Sequence, residues 1–117
     1  MPYFKIDAPF CISVWNAEKS IGSLQWTLLW GEVPFLEKIW IDAPERRKGF
    51  GTQAMTYFES MLARAGHTCA LVSTRADEDG QHFFRKLGYA DCGALDMHKF
   101  TQQSAAEIFL FKTFKNL

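Results

Sequence analysis

Two rhythms of hydrophobic and polar positions divide the chain. The first forty residues read as strands. Phe10 to Trp15 mixes β-branched and aromatic residues, Asn16-Ala17-Glu18-Lys19-Ser20 is polar, and Ile21 to Trp30 resumes an apolar, aromatic run. Two such runs around a polar break predict an antiparallel hairpin. Trp30-Gly31-Glu32-Val33-Pro34 reads as the next turn. Phe35 to Ile41 is the clearest strand. Simple alternation puts Phe35, Glu37, Ile39 and Ile41 on one face and Leu36, Lys38 and Trp40 on the other. Asp42-Ala43-Pro44 ends it, because proline lacks a donor and pushes the residue before it away from helix.

The rhythm then changes. From about Gly51 to Ala65, the residues Ala54, Met55, Phe58, Met61, Leu62 and Ala65 recur at intervals of three and four. That spacing predicts an amphipathic helix, and Gly66 fits its left-handed stop. His67 to Thr74 predicts a short buried strand centred on Ala70-Leu71-Val72. Asp77 or Asp79 can cap a second helix, whose buried face is Phe83, Phe84 and Leu87, with Phe84 beside the Phe83–Leu87 stripe, and Gly88 stops it. Tyr89 to Leu95 and Ala105 to Phe114 complete the chain as strands. Strands, helix, strand, helix, strands make an α/β chain with a mixed sheet.

At 117 residues, positions 1–117 form one domain. Eleven Phe and four Trp let so small a domain bury enough area to fold alone. Acidic and basic residues balance at thirteen each, so no uniform basic field marks a nucleic-acid binder. The bases are instead local, as Arg46-Arg47-Lys48 and Arg85-Lys86. Cys11, Cys69 and Cys92 are well separated, and no Cys-x-x-Cys occurs, so neither a disulfide framework nor a metal site is expected. No long apolar run predicts a signal peptide or membrane span, and a cytoplasmic setting is the expectation.

The chemistry-bearing segment is Ile39-Trp40-Ile41-Asp42-Ala43-Pro44-Glu45-Arg46-Arg47-Lys48-Gly49-Phe50-Gly51-Thr52. A strand ends, a basic loop follows, two glycines appear and a helix starts. Glycine lets the backbone approach a ligand closely. The first N–H groups of a helix have no internal partner and favour negative charge, so a phosphate fits there. Gly49-x-Gly51-x-x-Ala54 also matches a dinucleotide fingerprint. That fold requires an acid at the end of the next strand, and here the strand ends Val72-Ser73-Thr74-Arg75.

Arg46-x-x-Gly49-x-Gly51 resembles the Q/R-x-x-G-x-G/A signature of the GNAT superfamily of acyl-CoA-dependent N-acyltransferases. Downstream, Gly80-Gln81-His82-Phe83-Phe84-Arg85-Lys86-Leu87-Gly88-Tyr89 resembles that family's A-x-x-F-Y-x-K-x-G-F/Y stretch. The likeness covers roughly Gly22 to Phe114. It implies a mixed, mostly antiparallel central sheet flanked by helices, here with the N-terminal helical pair shortened or missing. It implies acetyl-CoA or another acyl-CoA as co-substrate, no metal, and direct attack of a small-molecule or peptide amine on the thioester. Arg46, Arg47, Lys48, Gly49, Phe50, Gly51 and Thr52 would cradle the pyrophosphate. The backbones of Ile39, Trp40 and Ile41 would pair with pantetheine, their side chains mostly in the core. Arg85 or Lys86 would meet the outer phosphate, and Phe84 would line the thiol end.

Glu37 is the candidate general base, ahead of Glu32 and Asp42, and an Ile41 backbone N–H the candidate oxyanion donor. Where many members of the family carry a tyrosine acid, this chain has Phe84, which cannot donate a proton. An acyl-CoA-binding module of weak activity is therefore the alternative. The aromatic last strand, from Glu107 to Phe114, leaves an edge in this picture, and a homodimer through it is expected.

Overall fold

The computed structural model describes residues 1–98, 101, 102 and 104–114. Its strands are β1 (Pro2–Ala8), β2 (Cys11–Asn16), β3 (Lys19–Leu29), β4 (Val33–Ile41), β5 (Cys69–Arg75), β6 (Ala90–Leu95) and β7 (Glu107–Thr113). Helix α1 (Phe50–Arg64) joins β4 to β5, and α2 (Gly80–Lys86) follows β5. One seven-stranded sheet runs β1-β2-β3-β4-β5-β7-β6. All its pairings are antiparallel except β4 with β5. The α/β architecture and mixed sheet agree with the sequence pattern. In place of an N-terminal helical pair, β1 turns directly into β2.

Both helices pack on one face. Ile12, Val14, Leu24, Leu36, Val72 and Leu110 from the sheet meet Ala54, Met55, Phe58 and Leu62 of α1 and Phe84 of α2 in a single core. At about 25 cal/mol per Å² of apolar surface, such large side chains supply most of the folding drive. Each helix ends on glycine. Beyond α1, Gly66 takes φ 94°, its N–H donates to the Ala63 carbonyl, and the His67 N–H donates to that of Leu62. Beyond α2, Gly88 takes φ 97°, with Tyr89 N–H donating to Phe84. These are Schellman stops, which close the last carbonyls of a helix. The Phe84 and Tyr89 rings pack edge to face across the second one, 5.8 Å apart.

Three expectations change. Strand β7 lies between β5 and β6, paired on both sides, so it offers no edge; β1 and β6 are the edges. The basis for a dimer through the last strand is therefore absent. Within the buried face of α2 the deepest residue is Phe84, 6% exposed, rather than the Phe83–Leu87 stripe, of which Phe83 is half-buried against Gly51 of α1. The third change is in β4. Gln25 pairs with Lys38 and Trp26 with Leu36, so Glu37 is an extra residue, a β-bulge. The bulge shifts the alternation by one. Leu36, Ile39 and Ile41 face the helices, and Phe35 faces the other side.

Candidate functional site

Strands β4 and β5 share only two rungs, Phe35 with Leu71 and Leu36 with Val72. Beyond them the strands part and open a cleft of about 1030 Å³. The bulge at Glu37 sits where the separation begins, and a bulge bends its strand. The α1 N-terminus and α2 form the floor on one side.

Register decides which backbone groups face the gap. Asp42 N–H donates to the Ile21 carbonyl, which makes Ile41 and Gly22 a non-hydrogen-bonded pair. Alternation then gives Trp40 and Ser23 a bonded pair and Ile39 and Leu24 a non-bonded one. The N–H and C=O groups of Ile39 and Ile41 therefore point away from β3, toward the gap. Those of Trp40 are spent on Ser23. The Trp40 side chain is also not core: it is 48% exposed. Its ring carries the Arg46 guanidinium at 4.4 Å, and its Nε1 donates to Asp42 at 3.2 Å. Arg46 Nε donates to the Ile41 carbonyl at 2.7 Å. Of the two isoleucines, Ile39 keeps both groups for a ligand, and Ile41 keeps its N–H.

The loop between β4 and α1 is curled where Gly49 allows it. Arg47 (φ 63°) and Gly49 (φ 84°) are left-handed, a curl in which successive N–H groups converge. A non-glycine residue in that region costs on the order of 1–3 kcal/mol and persists at ligand clamps. The first internal bond of α1 is Gln53 N–H to Gly49 at 3.1 Å, so the N–H groups of Phe50, Gly51 and Thr52 have no acceptor one turn back. An alanine Cβ at Gly51 would stand 3.4 Å from the Phe83 ring. The cleft brings together Glu37, Ile39, Ile41, Arg46, Arg47, Gly49, Phe50, Gly51, Thr52 and Phe84.

Three expected cofactor contacts lie outside that lining. Trp40 faces the opposite side of the sheet. Lys48 pairs with Glu45 at 3.2 Å. Arg85 forms a two-pronged pair with Asp91 at 2.8 and 3.0 Å, and its guanidinium holds the Asp91 carboxyl below the usual range. Lys86, one helical turn beyond Phe83, lines the cleft instead. Residues that sequence spacing did not single out join it from β5 and α2: Ser73, Thr74, Arg75 and His82. The advance signal for Ser73, Thr74 and Arg75 was position, at the end of the strand facing the loop.

Tyr89 is the tyrosine that closes the second motif, and it is no substitute acid. It is 3% exposed, and its hydroxyl donates to Glu59 at 2.9 Å, with Lys112 at 2.7 Å from the same carboxylate. Burial first, then the Glu59 charge and hydrogen bond, push the phenol well above its ordinary range. Tyr89→Phe should cost about 1.5 kcal/mol, typical of a bond to a charged group, seen as a melting point lower by roughly 5–8 °C. Turnover should be unchanged. Because the folded phenol titrates higher than the unfolded one, its contribution is full below about pH 10 and fades as pH rises above it. The alkaline fall in stability should be shallower in the variant.

Cys92 is exposed, and slight burial with the Asp91 charge pushes its thiol up, which disfavours a covalent acyl carrier. Among the described residues no His, Cys, Asp or Glu cluster is arranged to hold a metal, and no helix is long and apolar enough to cross a membrane.

The family model described as "Acetyltransferase (GNAT) family" matches residues 2–89. The chain belongs to the GNAT acetyltransferases. Solved structures agree at the level of fold. A GNAT family acetyltransferase from Elizabethkingia anophelis with acetyl-CoA bound has a TM-score of 0.80 at 12% identity, over 89% of this chain and 75% of its own. The ribosomal-protein-S18-alanine N-acetyltransferase from Escherichia coli has a TM-score of 0.78 at 14% identity, over 95% and 72%. Ard1 from Thermoplasma volcanium has a TM-score of 0.80 at 16% identity, over 90% and 70%. This GNAT chain thus spans 70% to 75% of the length of each. No curated protein matches it.

Proposed function

We propose that the protein transfers an acetyl or other acyl group from acyl-CoA to a primary amine. The observation that carries the proposal is the parting of β4 from β5 after two rungs, directly over the free N–H groups of α1. A strand with open ladder groups running into an anion-binding helix start suits a ligand with an amide-bearing arm and a pyrophosphate. Bound acyl-CoA supplies the activated acyl carbon as a thioester.

The chain's own groups do the rest. The loop from Arg46 to Thr52 holds the phosphates, with Lys86 near the outer end. Ile39 and Ile41 take the amide arm by main-chain bonds. Ile41 lies at the phosphate end, since its carbonyl is tied to Arg46. Four residues of strand, about 13 Å, separate it from Glu37. The Ile39 N–H is therefore better placed than that of Ile41 to face charge developing on the acyl oxygen. Glu37, exposed at the bulge, takes the ammonium proton, directly or through water. Phe84 offers no proton, so the thiolate leaves with protonation from solvent.

Calorimetric titration with acetyl-CoA tests the proposal. Saturable binding to the wild type should weaken at least tenfold in the Gly49→Ala, Gly51→Ala double variant. Alanine in the left-handed region costs about 1–2 kcal/mol, and the loop relaxes out of its curl to escape it. No binding to the wild type at millimolar acetyl-CoA would refute the function.

A further inference from the structure

Phe84 gives a departing sulfur no donor from α2, and the far wall of the cleft supplies one. Strand β5 runs parallel to β4, with Val72 level with Leu36. Two residues on, Thr74 stands across the gap from the stretch Glu37 to Ile39 and lines the cleft. Ala70 and Val72 are buried in the core under the helices. Alternation puts Thr74 on that same side of the sheet and Ser73 on the other. Glu37 follows the inward Leu36 and is exposed on the helix-free side. Thr74 and Glu37 therefore flank the gap from opposite sides.

The Thr74 hydroxyl is also free to act. The residue is half-buried, and its side chain has no hydrogen-bond partner among the described residues. No buried side-chain oxygen or nitrogen there goes unpaired, so the Thr74 oxygen is open to the cleft. Helix α2 leaves it uncovered because its first residue is Gly80: a Cβ there would stand 3.0 Å from Thr74 Oγ1. Phe84 lies one turn further along the same face of α2. His82 and Lys86, the other proton donors of α2 in the cleft, flank Phe83, whose ring packs on Gly51 at the start of α1. They stand at the far end of the cleft from Glu37.

We propose that the Thr74 hydroxyl receives the leaving thiolate and passes it a proton from solvent. The proposal rests on the acyl-transfer function above. The thioester arm comes from the loop into α1, on the helix side, so its sulfur lies toward Thr74 rather than Ser73. The amine meets Glu37 from the other side. As the carbon–sulfur bond breaks, sulfur keeps the bonding pair. The hydroxyl gives its proton to sulfur and takes another from water in the cleft, so Thr74 ends as it began. The ammonium loses two protons on becoming an amide. They balance the proton gained by sulfur and one released to solvent.

The test reads the sulfur directly and needs no acceptor. A hydroxyl that donates to a thiolate favours the charged form. The thiol of free CoA, bound to the protein and followed by the ultraviolet absorbance of its thiolate, should titrate about one pH unit lower on the wild type than on Thr74→Val, a roughly tenfold difference in acid dissociation. Thr74→Ser, which keeps the hydroxyl, should titrate with the wild type. Gly80→Ala keeps the hydroxyl and crowds it from the helix side. It should move part of the way toward the valine variant, so a folding failure of the latter does not end the test. Affinity for CoA by calorimetry should stay within about fivefold, the worth of one neutral hydrogen bond. Equal titration on the wild type and the valine variant, or a serine variant that follows the valine one, overturns the inference and leaves cofactor binding standing. CoA that fails to bind the wild type at millimolar concentration overturns the function beneath it as well.

Discussion

Glu37→Gln should lower kcat by about 10²–10⁴, the usual worth of a positioned general base, while leaving acetyl-CoA affinity within about twofold of the wild type. The amide matches the carboxylate in shape and cannot accept the ammonium proton. Glu37 is exposed at the bulge and makes no ladder pair with β3, so little folding energy depends on its charge. The melting point should therefore stay within a degree or two, since surface substitutions of this kind usually fall within about 0.5 kcal/mol. The rate should recover partly at higher pH, where more of the amine arrives already deprotonated. Steady-state kinetics on one amine, with calorimetry on acetyl-CoA, measures all of this. A fall in kcat of less than threefold would remove Glu37 from the role and turn attention to the other carboxylates that line the cleft.

The second large effect is expected at Gly22. An alanine Cβ there would lie 2.2 Å from the Trp40 carbonyl oxygen and 2.9 Å from Ile41 Cδ1. The first contact is with backbone and cannot be relieved by turning a side chain. Gly22 and Ile41 form the narrow kind of antiparallel pair, which explains the crowding. Gly22→Ala should cost about 1–3 kcal/mol, the range for forcing extra volume into a packed site, and lower the melting point by roughly 5–15 °C. Because the displaced segment is the one that presents Ile39 and Ile41 to the gap, acetyl-CoA should bind more weakly too. Thermal unfolding followed by titration separates the two losses. An unchanged melting point would show that β3 and β4 accommodate the methyl.

What could be read in advance followed from periodicity and from local chemistry. The stripe Ala54, Met55, Phe58 and Leu62 fixes both the existence of α1 and its buried face, because a 3.6-residue period is robust to small errors of boundary. The turn into α1 was visible because glycine at a left-handed position and a helix start are local features. The face of Glu37 was not. A bulge inserts one residue, leaves no periodic mark, and turns every later side chain of the strand to the opposite face. Which of Phe83 and Phe84 lies deeper was hidden for a similar reason: neighbours on a helix differ by about 100°, and two phenylalanines carry no sign of which is further inward. The burial of β7 between β5 and β6 is a matter of strand order, which no local run encodes. Strand β1 fell within the general reading of the first forty residues as strands, but its bounds were hidden because an edge strand is largely exposed. Gly22 was the missed signal, since an isolated glycine within a strand often marks close backbone approach.

The two-rung junction between β4 and β5 also bears on how the chain assembles. Strands β1 to β4 are consecutive neighbours joined by short turns, so their contacts form early and at small entropic cost. The step from β4 to β5 must wait for the α1 crossover, and non-local pairing is the slow part of folding. Here that step is rewarded by only two rungs, with α1 and its core contacts left to hold the halves in register. The separation that makes room for a ligand is thus withheld from the folding chain as a source of cross-strand contact. A bound acyl-CoA would serve in part as the strand that is missing, completing after folding a ladder that the polypeptide leaves open.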